Sequence, residues 1–129
     1  MPRIPFSAPG APPPIGPYSV AARAAGSSLV FLSGQTPIDP ETGALVDGGI
    51  GEQTRQALRN LETVLRAVGG SFEDAVKVNV YLASMDDFSG MNEVYDSFFT
   101  APHPARTTVA VAGLPLGALV EIELVASLP

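Results

Sequence analysis

Cysteine is absent from the 129 residues, which excludes a disulfide framework, thiolate zinc sites and a thiol nucleophile. Histidine occurs once, as His103 between Pro102 and Pro104. No second imidazole is available for a metal site, so His103 reads as a surface turn residue. Ser33 lies in Leu32-Ser33-Gly34-Gln35 and lacks the G-x-S-x-G elbow of a serine hydrolase. No stretch approaches the roughly 18 apolar residues of a membrane span, and the N-terminus carries no basic segment followed by an apolar run. The expectation is a soluble cytoplasmic chain with no membrane partner. Basic residues are few, 7 against 13 acidic, for a net charge of −6, and they are spread singly. A phosphate backbone would be repelled overall, so nucleic acid is an unlikely partner. Charged residues make up only 16% of the chain against 46% hydrophobic. A small globule with so little charge is expected to cover apolar surface with another subunit.

Proline is what the N-terminus has in quantity: Pro2, Pro5, Pro9, Pro12, Pro13 and Pro14. Each lacks an N–H, so residues 1–14 read as an extended or mobile arm, with one domain over 15–129. From Ile15-Gly16-Pro17-Tyr18 a first strand is expected to run to about Ala25, turning at Gly26-Ser27-Ser28 into Leu29–Leu32 and ending at Ser33-Gly34-Gln35. Ala57, Leu58, Leu61, Val64, Leu65 and Val68 recur at helical spacing, and Gly69-Gly70 supply a left-handed stop. Val76, Val78, Val80 and Leu82 alternate with Lys77, Asn79 and Tyr81, predicting a strand with one dry and one mixed face. Ser84 and Asp87 suggest a capping box opening a second helix, whose stripe is Phe88, Met91, Tyr95, Phe98 and Phe99. Asn92 falls in that stripe, either as a core amide bonded to backbone or as an amide at a pocket edge. Gly48-Gly49-Ile50-Gly51 lacks the Lys-Ser/Thr of a phosphate loop, and Asp86-Asp87 has no companion ligands for a metal.

The last fifty residues hold a single Lys or Arg, Arg106, set in a period-2 pattern in which it shares a face with Thr108. A guanidinium among small and apolar neighbours keeps its charge and needs an anion. That anion is either Glu121 or Glu123, on one face of the closing strand Leu119–Val125, or the carboxylate of a ligand gripped by the planar fork. The element order is strand, strand, helix, strand, helix, strand, strand. It predicts an α+β domain, a mixed sheet with two helices on one face and a partner covering the other.

Taken together, Ile15-Gly16-Pro17-Tyr18, Phe31–Gln35, Glu52–Gln56, Met91–Tyr95, Phe98-Phe99, Pro104-Ala105-Arg106 and Val120–Glu123 occur in an order that resembles the RidA (YjgF) family over about residues 12 to 127. The resemblance implies a chorismate-mutase-like fold assembled as a homotrimer with clefts between subunits. It implies hydrolysis of reactive enamines and imines, such as 2-aminoacrylate and its imine tautomer, to 2-keto acids and ammonia, clearing by-products of pyridoxal-phosphate enzymes. Arg106 matches the family's carboxylate clamp, and Tyr18, Ser33-Gly34, Asn92 and Glu121 match its other site positions.

On that resemblance Arg106, Glu121 and Tyr18 are the catalytic group: anchor, base for the attacking water, and proton relay from a neighbouring subunit. Ser33, Gly34, Asn92, Thr108 and Phe88 join Arg106 in holding the substrate. No metal or organic cofactor is expected, because an imine is already electrophilic. The chain departs from many members in having Thr108 where they have Cys, and in a shorter Thr100–His103 connection. The alternatives are a regulatory trimer that binds a small carboxylic acid and, against the charge balance, an endoribonuclease or translation inhibitor.

Overall fold

The computed structural model describes residues 3–129. Its eight regular elements are β1 (Arg3–Phe6), β2 (Ala21–Ala24), β3 (Leu29–Gln35), α1 (Ile50–Ala67), β4 (Ala75–Leu82), α2 (Phe88–Asp96), β5 (Ala105–Ala110) and β6 (Val120–Ser127). They form one six-stranded sheet in the order β1-β2-β3-β6-β4-β5, with both helices packed on one face, an α+β architecture. All pairs are antiparallel except β4 and β5, which run parallel and are joined by α2. A parallel pair needs a crossover of this length, and the crossover is what places α2 beside α1.

The core is built by alternation meeting helical spacing. Val78, Val80 and Leu82 of β4 and Val120, Ile122 and Leu124 of β6 bury their side chains beneath Leu58, Leu61 and Leu65 of α1 and Met91 and Tyr95 of α2. Burying each such aliphatic side chain contributes about 1.5–3 kcal/mol. α1 stops where expected: Gly69 takes φ +90, and the N–H of Gly70 donates to Leu65 O at 2.8 Å. Two buried amides of α1 fix loops that border the site. Asn60 Nδ2 donates to Ile38 O at 2.9 Å, and Gln53 Oε1 accepts from the N–H of Leu119, just before β6.

Four expectations are corrected. The arm over residues 1–14 is not free of the sheet from Arg3 onward: Arg3–Phe6 pairs with β2 and puts Pro5 opposite Ala22. An edge strand tolerates proline because only one of its sides must supply donors. Phe6, Ala8 and Ala11 also pack on the core; Met1 and Pro2 lie outside the described residues. The next strand begins at Ala21, not Ile15. Gly16-Pro17 folds the chain, the N–H of Tyr18 donating to Gly16 O at 2.9 Å and the Tyr18 hydroxyl accepting from the N–H of Ile15.

Val76 is not on the dry face of β4. The register slips between Ala75 and Lys77, and the bulged valine is left exposed. Ser84 accepts only from the N–H of Asp86, over a single 3-10 turn, and α2 begins at Phe88 without a side-chain cap. The reciprocal box occurs instead at Ser71 and Asp74.

The sheet face away from the helices is uncovered. Phe31, opposite Val125, is 50% exposed, and Leu29 and Val109 are also open to solvent. No helix of the described residues is long and apolar enough to cross a membrane.

Candidate active site

Register decides where Arg106 points. Arg106 stands opposite Val78 and Thr108 opposite Val80; both valines are fully buried under the helices, so Arg106 and Thr108 face the helix side. There the guanidinium carbon lies over the Tyr95 ring, 4.6 Å from its centroid, and 5.7 Å from that of Phe88. The ion pairs among the described residues are Arg55 with Glu52 and Arg66 with Glu62; Arg106 is in neither. The internal Arg106–Glu pair is not formed, for a geometric reason. β4 lies between β5 and β6, and Glu121 and Glu123 stand opposite Tyr81 and Asn79 on the other face.

Arg106 borders a hollow of about 270 Å³ shared with Asn92, Tyr95, Asp96, His103 and Pro104. Asn92 is exposed at this rim and is not the packed amide that its place in the stripe allowed. β5 is an edge strand, so the sheet ends beneath this part of α2 and leaves space where a core would otherwise close. His103 is the exposed turn residue expected, yet it lines the same hollow, a position that its flanking prolines alone do not reveal. The Thr108 hydroxyl is buried without a hydrogen-bond partner among the described residues.

A second hollow, about 400 Å³, lies on the opposite face, lined by Tyr18, Ser33, Gly34, Glu121 and Glu123 with Ile15, Thr36 and Pro115. The carboxyl of Glu121 rests on Gly34: a Cβ there would come within 3.0 Å of its Cδ and 3.1 Å of its Cγ. Burial first, and then the neighbouring charge of Glu123, hold the Glu121 carboxyl above the usual carboxylate range. Glu123 itself accepts from Asn79 Nδ2 at 3.3 Å.

The Ser33 hydroxyl donates to Ser19 O at 2.7 Å, tying the end of β3 to the turn that presents Tyr18. Tyr81, opposite Glu121 on the same face, was not singled out from sequence. Its phenol is pushed up by burial and then by Glu123, and the Lys77, Asn79, Tyr81 alternation was the available signal.

One chain therefore gathers Tyr18, Ser33, Gly34 and Glu121 in one hollow and sets Arg106 and Asn92 at another, with the sheet between; Phe88 and Thr108 do not line that second hollow, Phe88 standing near the Arg106 guanidinium and Thr108 beside it on the helix-side face of β5. The first half offers a carboxylate of raised basicity beside open space. The second offers an unpaired cation on an aromatic floor. The described residues contain no group of three or more His, Cys, Asp or Glu able to hold a metal ion.

Comparison with known proteins identifies the family. Residues 9–128 match the family model described as endoribonuclease L-PSP. The chain is 51% identical over 116 residues to the RutC family protein PH0854 of Pyrococcus horikoshii, covering 90% of each chain. It is 46% identical over 116 residues to the 2-iminobutanoate/2-iminopropanoate deaminase of Mus musculus, covering 90% of this chain and 84% of the relative. The crystal structure of RidA from an Antarctic Psychrobacter superposes with a TM-score of 0.90 at 39% identity, over 95% of this chain and 98% of that one.

Proposed function

Because this chain belongs to the endoribonuclease L-PSP family, the group also called RidA, we propose that it hydrolyses reactive 2-enamine and 2-imine acids to 2-keto acids and ammonia. The observation that carries this reading is the Arg106 guanidinium. It lies over the Tyr95 ring at the edge of a hollow, in no ion pair among the described residues. A cation so placed is matched by an incoming carboxylate, which its fork binds through two charge-assisted hydrogen bonds. Relatives at 44–46% identity carry the name 2-iminobutanoate/2-iminopropanoate deaminase or reactive intermediate deaminase, which gives the substrate class.

The chemistry follows from the groups present. An enamine acid first tautomerises to the imine, whose C2 is electrophilic. Arg106 fixes the carboxylate and so orients C2. Glu121 accepts a proton from a water as its oxygen adds to C2, and that proton is passed on, with Tyr18 as relay, to the imine nitrogen. The resulting amino alcohol collapses: its hydroxyl proton passes to the nitrogen, the C2–N bond breaks, ammonia leaves and the C2 carbonyl forms. A base raised above the ordinary carboxylate range is suited to take that proton near neutral pH. Tyr18 closes the hollow and relays a proton, Ser33 and Gly34 border the water, and Asn92, Phe88 and Thr108 border the acid.

Arg106 and Glu121 lie on opposite faces of one sheet, so the working site is taken to form between chains, the Arg106 side of one against the Glu121 side of the next. The open apolar face with Phe31, Leu29 and Val109 supports such an assembly. A cytoplasmic homotrimer is the form in which we place the activity. The test is a coupled assay in which an amino-acid oxidase generates the imine and keto-acid release is followed. Equal rates with wild type and Arg106→Ala would remove the assignment.

A further inference from the structure

An anchor for an incoming acid has to be held still without spending the hydrogen-bond donors that the acid will use. A home carboxylate would hold Arg106, but it would also compete with the ligand for the same N–H groups. An aromatic face attracts a guanidinium across its plane and leaves the in-plane donors free. The Arg106 guanidinium carbon lies over the Tyr95 ring at 4.6 Å and is more distant from Phe88, at 5.7 Å.

The Tyr95 ring is itself immobilised. It is 5% exposed, stacked on Phe99 at 4.4 Å between centroids and 23° between planes, and Phe99 in turn packs on Phe72 at 4.8 Å. The Tyr95 hydroxyl is buried without a partner among the described residues, so it is out of reach of anything entering the hollow. The ring, not the hydroxyl, is the part that meets Arg106.

We propose that Tyr95 is a positioning residue for the carboxylate anchor. Its stacked ring fixes the Arg106 guanidinium over the hollow as a neutral platform, so that the donors stay unspent until the acid arrives. The proposal rests on the reading of Arg106 as that anchor. It predicts that loss of the ring weakens acid binding while the isosteric ring restores it.

The experiment uses the stable keto acid 2-oxobutanoate as probe, titrated into wild type, Tyr95→Phe, Tyr95→Leu and Arg106→Ala, with steady-state kinetics on each. Tyr95→Leu should weaken 2-oxobutanoate about tenfold, raise KM to match and change kcat far less. Tyr95→Phe should recover that loss and raise Tm, because it removes a buried hydroxyl with no partner. A merely structural Tyr95 would lower Tm on truncation and leave the affinity of the folded protein alone.

In wild type and Tyr95→Phe, the Arg106 Hε resonance should lie upfield of its random-coil position through the ring current. That measurement decides the matter even if Tyr95→Leu does not fold, since an unshifted resonance overturns the proposal. Wild-type affinity in Tyr95→Leu removes this proposal alone; wild-type affinity in Arg106→Ala removes the anchor and the proposal with it.

Discussion

The Glu121 carboxyl lies on the bare α-carbon of Gly34, so closely that an added Cβ would meet both its Cδ, at 3.0 Å, and its Cγ, at 3.1 Å. Gly34 is needed here for space and not for an unusual backbone, since it is not among the glycines of positive φ. The same contact joins β3 to β6 inside the hollow that holds Tyr18.

Gly34→Ala should therefore fold normally and lose catalysis. The methyl displaces the flexible end of Glu121, and loss of a positioned base costs on the order of 100-fold in kcat. The check is kcat together with Tm; a variant with wild-type kcat shows that the placement of Glu121 is immaterial.

Arg106→Lys keeps the charge and loses the fork. One charge-assisted hydrogen bond is worth about 1.5–3 kcal/mol, so kcat/KM for the imine should fall roughly tenfold to a hundredfold, with Arg106→Ala lower still. If instead the Lys variant matches wild type, two-point recognition of the carboxylate is ruled out.

Glu121 is raised by burial first and by Glu123 second, which fixes the sign of two pH effects. As the base, Glu121 must be deprotonated, so kcat falls as pH drops through its raised pKa. Glu123→Gln removes the like charge, lowers that pKa and should move the acid limb of the profile to lower pH. For stability, a carboxyl whose folded pKa lies above its unfolded value loses its contribution as pH rises through the folded pKa. Glu121→Gln should then raise Tm near neutral pH and leave it unchanged below the ordinary carboxylate range. Thermal melts at the two pH values check this.

Because β4 separates the strands of Arg106 and Glu121, the two inactive variants Arg106→Ala and Glu121→Ala should complement each other. Unfolded together at equal ratio and refolded, they should recover about a quarter of wild-type activity, the statistical share of sites drawing an intact Arg and an intact Glu from different chains. Activity no higher than in the unmixed variants means that the site does not form between chains. A regulatory carboxylate binder is also separated here, since Glu121→Ala would then keep its ligand and lose nothing measurable in turnover.

Much of this fold is legible in the sequence. The stop of α1 at Gly69-Gly70, the buried faces of β4 and β6 and the shared face of Arg106 and Thr108 follow from spacing, because one side chain every second or every third to fourth residue must meet the core. The edge strand Arg3–Phe6 was not readable, since proline forbids a ladder only where both sides of a strand must bond. The bulge at Val76 was hidden for a similar reason: a register slip belongs to the pair of strands and not to either one.

What the residues alone determined about this protein is that a lone cation, Arg106, stands in an apolar strand and needs an anion, and that two glutamates share a face fifteen residues on. Whether they neutralise each other was beyond local pattern, because β5 and β6 follow one another in the chain and look like natural neighbours. The tertiary structure decided against it. The parallel β4–α2–β5 crossover leaves β6 only the other edge of β4, and pairing there turns Glu121 to the face opposite Arg106, so the cation is left to the Tyr95 ring and to whatever acid comes.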